Sequence, residues 1–432
     1  MNFAESQDYL LSLGFELSVK KFGLENTQIL LEALDHPEEK FLKVQVAGTN
    51  GKGSVCAFLE AICLEAGFKI GLNTSPHLVS ITERVRIGGK DISEDEFARY
   101  TTIVREKGEE LVAEGRLQAL PTYFEHVTAI ALLAFAEANV DLAILETGLG
   151  GRFDATTAAN SEVAVITPID LDHMNTLGAT IREIASEKAA IISEDSTVVV
   201  SDQNREALEV IEARCGQFGI EPIDSSSVTA KDLNGTVTFI SEYARYESVT
   251  LGLKGRHQVD NARTAIAVAE ALARQGFDIC PNDVSRGLEK VSHKGRLEYR
   301  VGILFDGAHN VSGAKALRAY IEENIDEPIT MMFAAMTGKD ISEISKILFP
   351  LADNLIFVKP ENPRAMTTRA LAGSVPADIA LRSVTEASSV SEAVETARAF
   401  AGDGLILVTG SLYLIGEVQA HLQGVGMTHR EH

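Results

Sequence analysis

Short apolar runs alternate with longer stretches of helical period along most of the chain. Residues 41–47, 69–73, 141–145, 162–167 and 197–201 are brief and largely apolar, the pattern of strands buried on both faces. Between them, residues 53–66, 92–113, 124–139, 180–193 and 204–218 repeat apolar positions at helical spacing. That alternation predicts a parallel α/β sheet. From residue 236 to 253 the pattern changes to strand–turn–strand, which predicts a small antiparallel hairpin. Helices follow over 258–275 and 282–290. A strand over 299–306 then restarts the alternation, with strands at 328–334, 353–358 and 404–409 and helices at 311–324, 340–348, 390–401 and 412–423. The restart places a boundary near 293–297, giving domains 1–295 and 296–432. Residues 1–13 read as an amphipathic helix with Phe3, Tyr9, Leu10 and Leu13 on or near one face.

Composition narrows the class. The 432 residues are 45% hydrophobic and 23% charged, ordinary for a globular protein. No apolar run approaches the roughly 20 residues that span a bilayer, so no membrane association is expected. The acidic N-terminus lacks the basic region of a signal peptide. Cysteines 56, 63, 215 and 280 form no C-x-x-C pair, which disfavours a disulfide framework or zinc knuckle and favours the cytoplasm. The net charge of -23 argues against nucleic acid, whose phosphates need a basic surface. An acidic chain still binds anions where its cations are concentrated, so the placement of lysines beside glycines matters more than the total.

One such place follows the first strand: Gly48-Thr49-Asn50-Gly51-Lys52-Gly53-Ser54. A strand, a glycine-rich turn with Lys and Ser, then a helix is the arrangement of a phosphate cradle. It departs from G-x-x-x-x-G-K-[ST], with Val46 at the first glycine position and Gly53 between Lys52 and Ser54. Ligands of open parallel sheets bind at strand carboxyl ends. After the second strand comes Thr74-Ser75-Pro76-His77; after the third, Glu146-Thr147-Gly148-Leu149-Gly150-Gly151-Arg152-Phe153-Asp154; after the fourth, Asp170-Leu171-Asp172-His173. Glu146 reads as a Mg²⁺ ligand, since hard cations take oxygen donors near phosphates. Ser54 fits either a metal ligand or a helix cap, and Ser75 either a ligand or a turn residue. His173 reads as a ligand or a supporting residue. Lys188 alone reads as a solvated helix lysine. Later, Asp306-Gly307-Ala308-His309-Asn310 again joins an acid, a glycine and an imidazole at a strand end.

Taken in order, these segments resemble the Mur ligase superfamily, in its folylpolyglutamate synthase and dihydrofolate synthase branch. The matching residues are the loop 48–54, Ser75-Pro76-His77-Leu78, Glu83-Arg84-Val85-Arg86, Thr122-Tyr123-Phe124-Glu125, Glu146 to Arg152, Leu171-Asp172-His173, Glu187-Lys188-Ala189, His257-Gln258, Asn261-Ala262, Asp306 to Asn310 and Thr409 to Tyr413. The resemblance implies a P-loop parallel-sheet ATPase domain and a smaller, Rossmann-like C-terminal α/β domain that receives glutamate. It implies an ATP-dependent ligase that joins L-glutamate to a folate-type carboxylate through an acyl phosphate. Carried over by position, Ser54, Ser75, Glu146 and His173 are ligands of two Mg²⁺ ions, and Lys188 is carbamylated to support them. Asn50, Gly51, Lys52, Gly53, Ser54, Asn261, Arg296 and Asp306 contact ATP. Thr122, Tyr123, Phe124, Glu125, Arg152 and Asp154 line the acceptor pocket, and His309 and Ser411 receive glutamate. Lys52, Lys188, Asp306 and His309 carry the catalytic roles, and the protein acts as a monomer on small molecules. Thr157, Thr167 to Asp170 and Ala190 depart from the family pattern, the first two near the presumed pterin pocket. Two other readings remain: a different Mur-type amino-acid ligase, for which the 47 residues before Gly48 are too few to hold a UDP-binding domain, and a P-loop switch without amide formation.

Overall fold

The computed structural model describes residues 1–13, 23–233 and 235–425. The chain divides into one unit of Met1–His77, Thr82–Gly252 and Gln258–Ser292, and a second of Leu78–Ile81, Leu253–His257 and His293–His432.

Eight strands form the main sheet of the first unit. They are β1 (Leu42–Ala47), β2 (Ile70–Asn73), β3 (Val85–Ile87), β4 (Lys90–Asp91), β5 (Leu142–Glu146), β6 (Val163–Ile166), β7 (Thr197–Val200) and β8 (Ile223–Asp224). Their order is β4-β3-β2-β5-β1-β6-β7-β8. All neighbours run parallel except β3 and β4, which fold back antiparallel at one edge. The central strands are buried throughout because helices cover both faces, which is why their sequence is continuously apolar rather than alternating. β1 lies between β5 and β6, so the carboxyl ends of β2, β5, β1 and β6 share one rim.

β9 (Thr229–Leu233), β10 (Thr236–Ile240) and β11 (Arg245–Val249) form a separate antiparallel sheet. The hairpin expected over 236–253 is β10–β11, which ends earlier, at Val249. β9 escapes a hydrophobic reading because it is mostly exposed and polar.

The second unit holds β12 (Glu298–Arg300), β13 (Ile303–Asp306), β14 (Ile329–Phe333), β15 (Asn354–Val358), β16 (Ser383–Ala387) and β17 (Leu405–Thr409). Their order is β12-β13-β17-β14-β15-β16, with only β12 antiparallel. The single strand expected over 299–306 is therefore two. Val301 and Gly302 both take positive φ, 52° and 76°, and reverse the chain in a two-residue hairpin. Successive residues of the central strands point to opposite faces. Leu304, Met331, Phe333, Leu355 and Leu407 enter one core. Ile303, Phe305, Met332, Ile356 and Val408 enter the other.

Candidate active site

The phosphate loop leaves β1 at Ala47 and enters the helix Lys52–Glu65 through Gly51. Gly51 sits at φ 86°, and a Cβ there would lie 2.4 Å from Asn261 Oδ1. Gly48 is equally constrained, since its Cβ would meet Thr167 Oγ1 at 1.8 Å. Thr49 and Asn50 donate their amides to the Pro168 carbonyl at 2.9 and 3.2 Å. Thr49 Oγ1 also bonds the Asp170 carbonyl and accepts the Asp170 amide, both at 3.1 Å. Residues 167–170 thus clamp the phosphate loop, so their departure from the family pattern bears on that loop. With those two amides occupied, the unpaired N–H groups of the first helical turn remain for an anion.

Ser54 is not the helix cap, which is Gly51. Ser54 is buried one turn in, and its hydroxyl accepts Gln258 Nε2 at 3.2 Å. Gln258 in turn accepts Asn261 Nδ2 at 2.9 Å. Gln258 is thus a site residue that its ordinary position at a helix start did not signal.

Glu146 ends β5 directly beside Val46 of β1, and its buried carboxylate accepts the Ser75 amide at 3.2 Å. Lys188 departs furthest from a solvated helix lysine, with only 5% of the residue exposed. Its Nζ donates to the Gly48 carbonyl at 2.7 Å, the same oxygen that Lys52 Nζ reaches at 3.1 Å. Burial, and next the nearby Lys52 charge, push the Lys188 amine down to about 7, against the smaller opposing pull of Asp172 and Asp154. His173 takes a left-handed backbone, φ 51°, with Nε2 4.0 Å from Asp172 Oδ2. The Ser54, Ser75 and Glu146 oxygens are hard donors of the kind Mg²⁺ takes, so the residues fit the ion. Among the described residues, a cluster of His36, Glu38 and Glu39 also has ligand spacing, but it precedes β1 at the sheet's other end.

The glycine-rich turn after β5 packs on the Lys188 helix so closely that a Cβ at Gly151 would lie 2.8 Å from the Glu187 carbonyl. Arg152 binds Glu187 at 2.8 Å and Ser186 at 3.1 Å on the outer side. Asp154 is wholly buried; burial raises its carboxyl pKa, while bonds from Thr156 and from the Leu149 amide oppose the rise. Thr157, the other departure, donates to the Gly151 carbonyl at 2.7 Å and also receives Gln45 Nε2 at 2.7 Å. Of residues 122–125, Tyr123 and Glu125 are buried, whereas Thr122 and Phe124 keep exposed surface. Phe124 lies against Gly148, where a Cβ would come within 2.6 Å of the ring.

In the second unit, Asp306 and Thr409 are register partners on adjacent parallel strands, so the segments after them share a rim. Asp306 accepts the Leu297 and Ala308 amides at 3.1 and 3.0 Å. Burial raises its carboxyl pKa, and the Arg296 and His257 charges hold it down. Arg296 lies over Gly307, where a Cβ would fall 2.5 Å from Nη1. His309 Nδ1 donates to the Gly307 carbonyl at 2.8 Å. Ser411 is buried and caps the helix Leu412–Gln423 through the Tyr413 amide.

Residues 46–269 match the Mur ligase middle domain, and residues 289–422 match the dihydrofolate synthetase C-terminal domain. The dihydrofolate synthase/folylpolyglutamate synthase of Bacillus subtilis is 35% identical over 417 residues, covering 93% of this chain and 95% of that protein. The chain belongs to the dihydrofolate synthase/folylpolyglutamate synthase family. The Mycobacterium tuberculosis folylpolyglutamate synthase complexed with ADP and AMPPCP superposes with a TM-score of 0.88 at 30% identity, over 98% of this chain and 99% of that one. The E. coli FolC complex with DHPP and ADP gives 0.85 at 28% identity, over 98% of each chain. As a member of this family the protein is an ATP-dependent ligase, which sets aside the nucleotide-switch reading. Among the described residues no helix is long and apolar enough to cross a membrane, and the cysteines form no disulfide.

Proposed function

We propose that this chain joins L-glutamate to the carboxylate of dihydropteroate and of reduced folates. An oxygen of the acceptor carboxylate attacks the γ-phosphorus of ATP, and ADP leaves. The glutamate amine then attacks the acyl carbon, phosphate departs, and an amide remains. A carboxylate alone is a poor acyl donor, so phosphate must supply the leaving group.

The observation that carries this reading is the meeting of Lys52 and Lys188 on the Gly48 carbonyl, with Ser54 in the helix that follows. The Lys52 ammonium there puts a cation on the phosphate loop of an otherwise acidic chain. Thr122 and Phe124 keep partly exposed surface, and the aromatic face of Phe124 suits a flat ring. Tyr123, Glu125 and Asp154 support that surface from beneath, and Arg152 braces the turn. Asn50, Gly51, Gly53, Asn261, Arg296 and Asp306 serve the nucleotide, and His309 and Ser411 serve glutamate. Two Mg²⁺ ions held by Ser54, Ser75, Glu146 and His173 would offset the repulsion between carboxylate and triphosphate. Lys188, whose buried amine is neutral far more often than an ordinary lysine's, adds CO₂ with loss of a proton, and the carbamate supports the metal site.

Product mass spectrometry tests the acceptor. Incubation with ATP, L-glutamate and either dihydropteroate or tetrahydrofolate is expected to add one or more glutamyl masses to each. No glutamyl adduct on either overturns the proposal; an adduct on tetrahydrofolate alone reduces it to polyglutamylation.

A further inference from the structure

The first turn of the helix Tyr123–Ala138 is bonded to two separate N-terminal helices, in each case by a side-chain hydroxyl. Tyr9, on the helix Phe3–Ser12, places its phenol oxygen 3.1 Å from His126 Nε2. The two rings also meet edge to face, with centroids 5.6 Å apart. On the other side of the imidazole, His126 Nδ1 lies 3.2 Å from the Thr122 carbonyl oxygen. A carbonyl only accepts, so its partner assigns the proton to Nδ1 and leaves Nε2 to accept from Tyr9.

Thr27, on the helix Glu25–Ala33, donates to Glu125 Oε1 at 3.2 Å. The second oxygen of that carboxylate accepts the Thr122 amide at 2.6 Å. Two chains of bonds, Tyr9–His126–Thr122 and Thr27–Glu125–Thr122, therefore converge on one residue and fix both its carbonyl and its amide. Thr27, Glu125 and His126 are all buried, so water competes poorly for these bonds. Burial also holds His126 neutral, with its pKa pushed down to about 4, so the accepting nitrogen persists at neutral pH. Thr122 and Phe124 are the two members of this turn that keep exposed surface.

We propose that Tyr9 and Thr27 are positioning residues for the acceptor: they hold Thr122, and through it Phe124, in the conformation that receives the flat ring. Neither belongs to a motif that carries the family resemblance. The inference rests on reading Thr122 and Phe124 as acceptor contacts.

Steady-state kinetics of Tyr9→Phe, Thr27→Val and the double variant test it, varying dihydropteroate, ATP and glutamate in turn. Each single change is expected to raise the acceptor KM about fivefold, the effect of one ordinary hydrogen bond, and the double change more. The KM values for ATP and glutamate stay within about twofold of wild type by the same measure. Tyr246→Phe is the control, because it removes a phenol bonded to Glu270 at 2.8 Å on the small antiparallel sheet. Its acceptor KM should not move even if it costs comparable stability. An unmoved acceptor KM in Tyr9→Phe and Thr27→Val, or equal rises in all three KM values, overturns the inference. Wild-type protein that turns over neither pteroate nor folate acceptors overturns the acceptor reading, and this inference with it.

Discussion

At the residue scale, Lys188 is where environment most changes chemistry. Burial lowers its amine pKa from 10.5 to about 7. The unfolded chain therefore binds more protons between those values, so stability rises with pH across that window, and the penalty of burying the amine is complete below about 7. A shift of this size is worth on the order of 4 kcal/mol, against about 1 for the bond to Gly48. Lys188→Met is thus expected to raise the stability of the unliganded protein near pH 7 by about 1–3 kcal/mol in denaturant titrations while abolishing ligation. Lys188→Ala should also lose most activity and regain part of it with added bicarbonate or a short carboxylic acid. Full activity in plain Lys188→Ala removes the carbamate; a destabilised Lys188→Met contradicts the burial argument. Composition and helical period could not show this burial; the family resemblance alone singled Lys188 out. Glu187-Lys188-Ala189 has ordinary helix composition, and only the approach of Gly48 and Gly151 decides that Lys188 faces inward. The place of Glu146 at a buried strand end, by contrast, was legible, because it directly closes an apolar run.

At the scale of elements, the buried central strands were readable because both faces are covered and the apolar run is continuous. The edge strands were not. β16 alternates half-buried and exposed positions, β9 is polar, and β3 and β4 are too short to show a period. The hairpin between β12 and β13 was hidden because Val301, a β-branched residue, sits at a positive φ that glycine usually supplies. The phosphate loop was legible as a motif, but its clamp was not, since Pro168 and Asp170 meet it only in three dimensions. The loop's geometry carries its own prediction. Gly51→Ala places a methyl group into Asn261 at a left-handed φ, and should weaken ATP binding about tenfold by calorimetry. Gly216→Ala, at a helix end with open space around it, should bind ATP normally. Wild-type affinity in Gly51→Ala would show that the loop tolerates a different path.

At the scale of the whole molecule, the restart of strand–helix alternation near residue 299 revealed two α/β units, each with its own sheet. The two short excursions, Leu78–Ile81 and Leu253–His257, belong to the second unit and carry no sequence signal of it. A net charge of -23 argued against nucleic acid but left anion binding open wherever cations are concentrated. Lys52 supplies such a cation at the rim where the phosphate loop opens, its Nζ 3.1 Å from the Gly48 carbonyl. The central claim is that ATP cleavage is harnessed to amide formation. Phosphate release, measured continuously with ATP and dihydropteroate present and with L-glutamate added or withheld, tests it most directly. The account predicts sustained release only when all three substrates are present. Equal release without glutamate would contradict it.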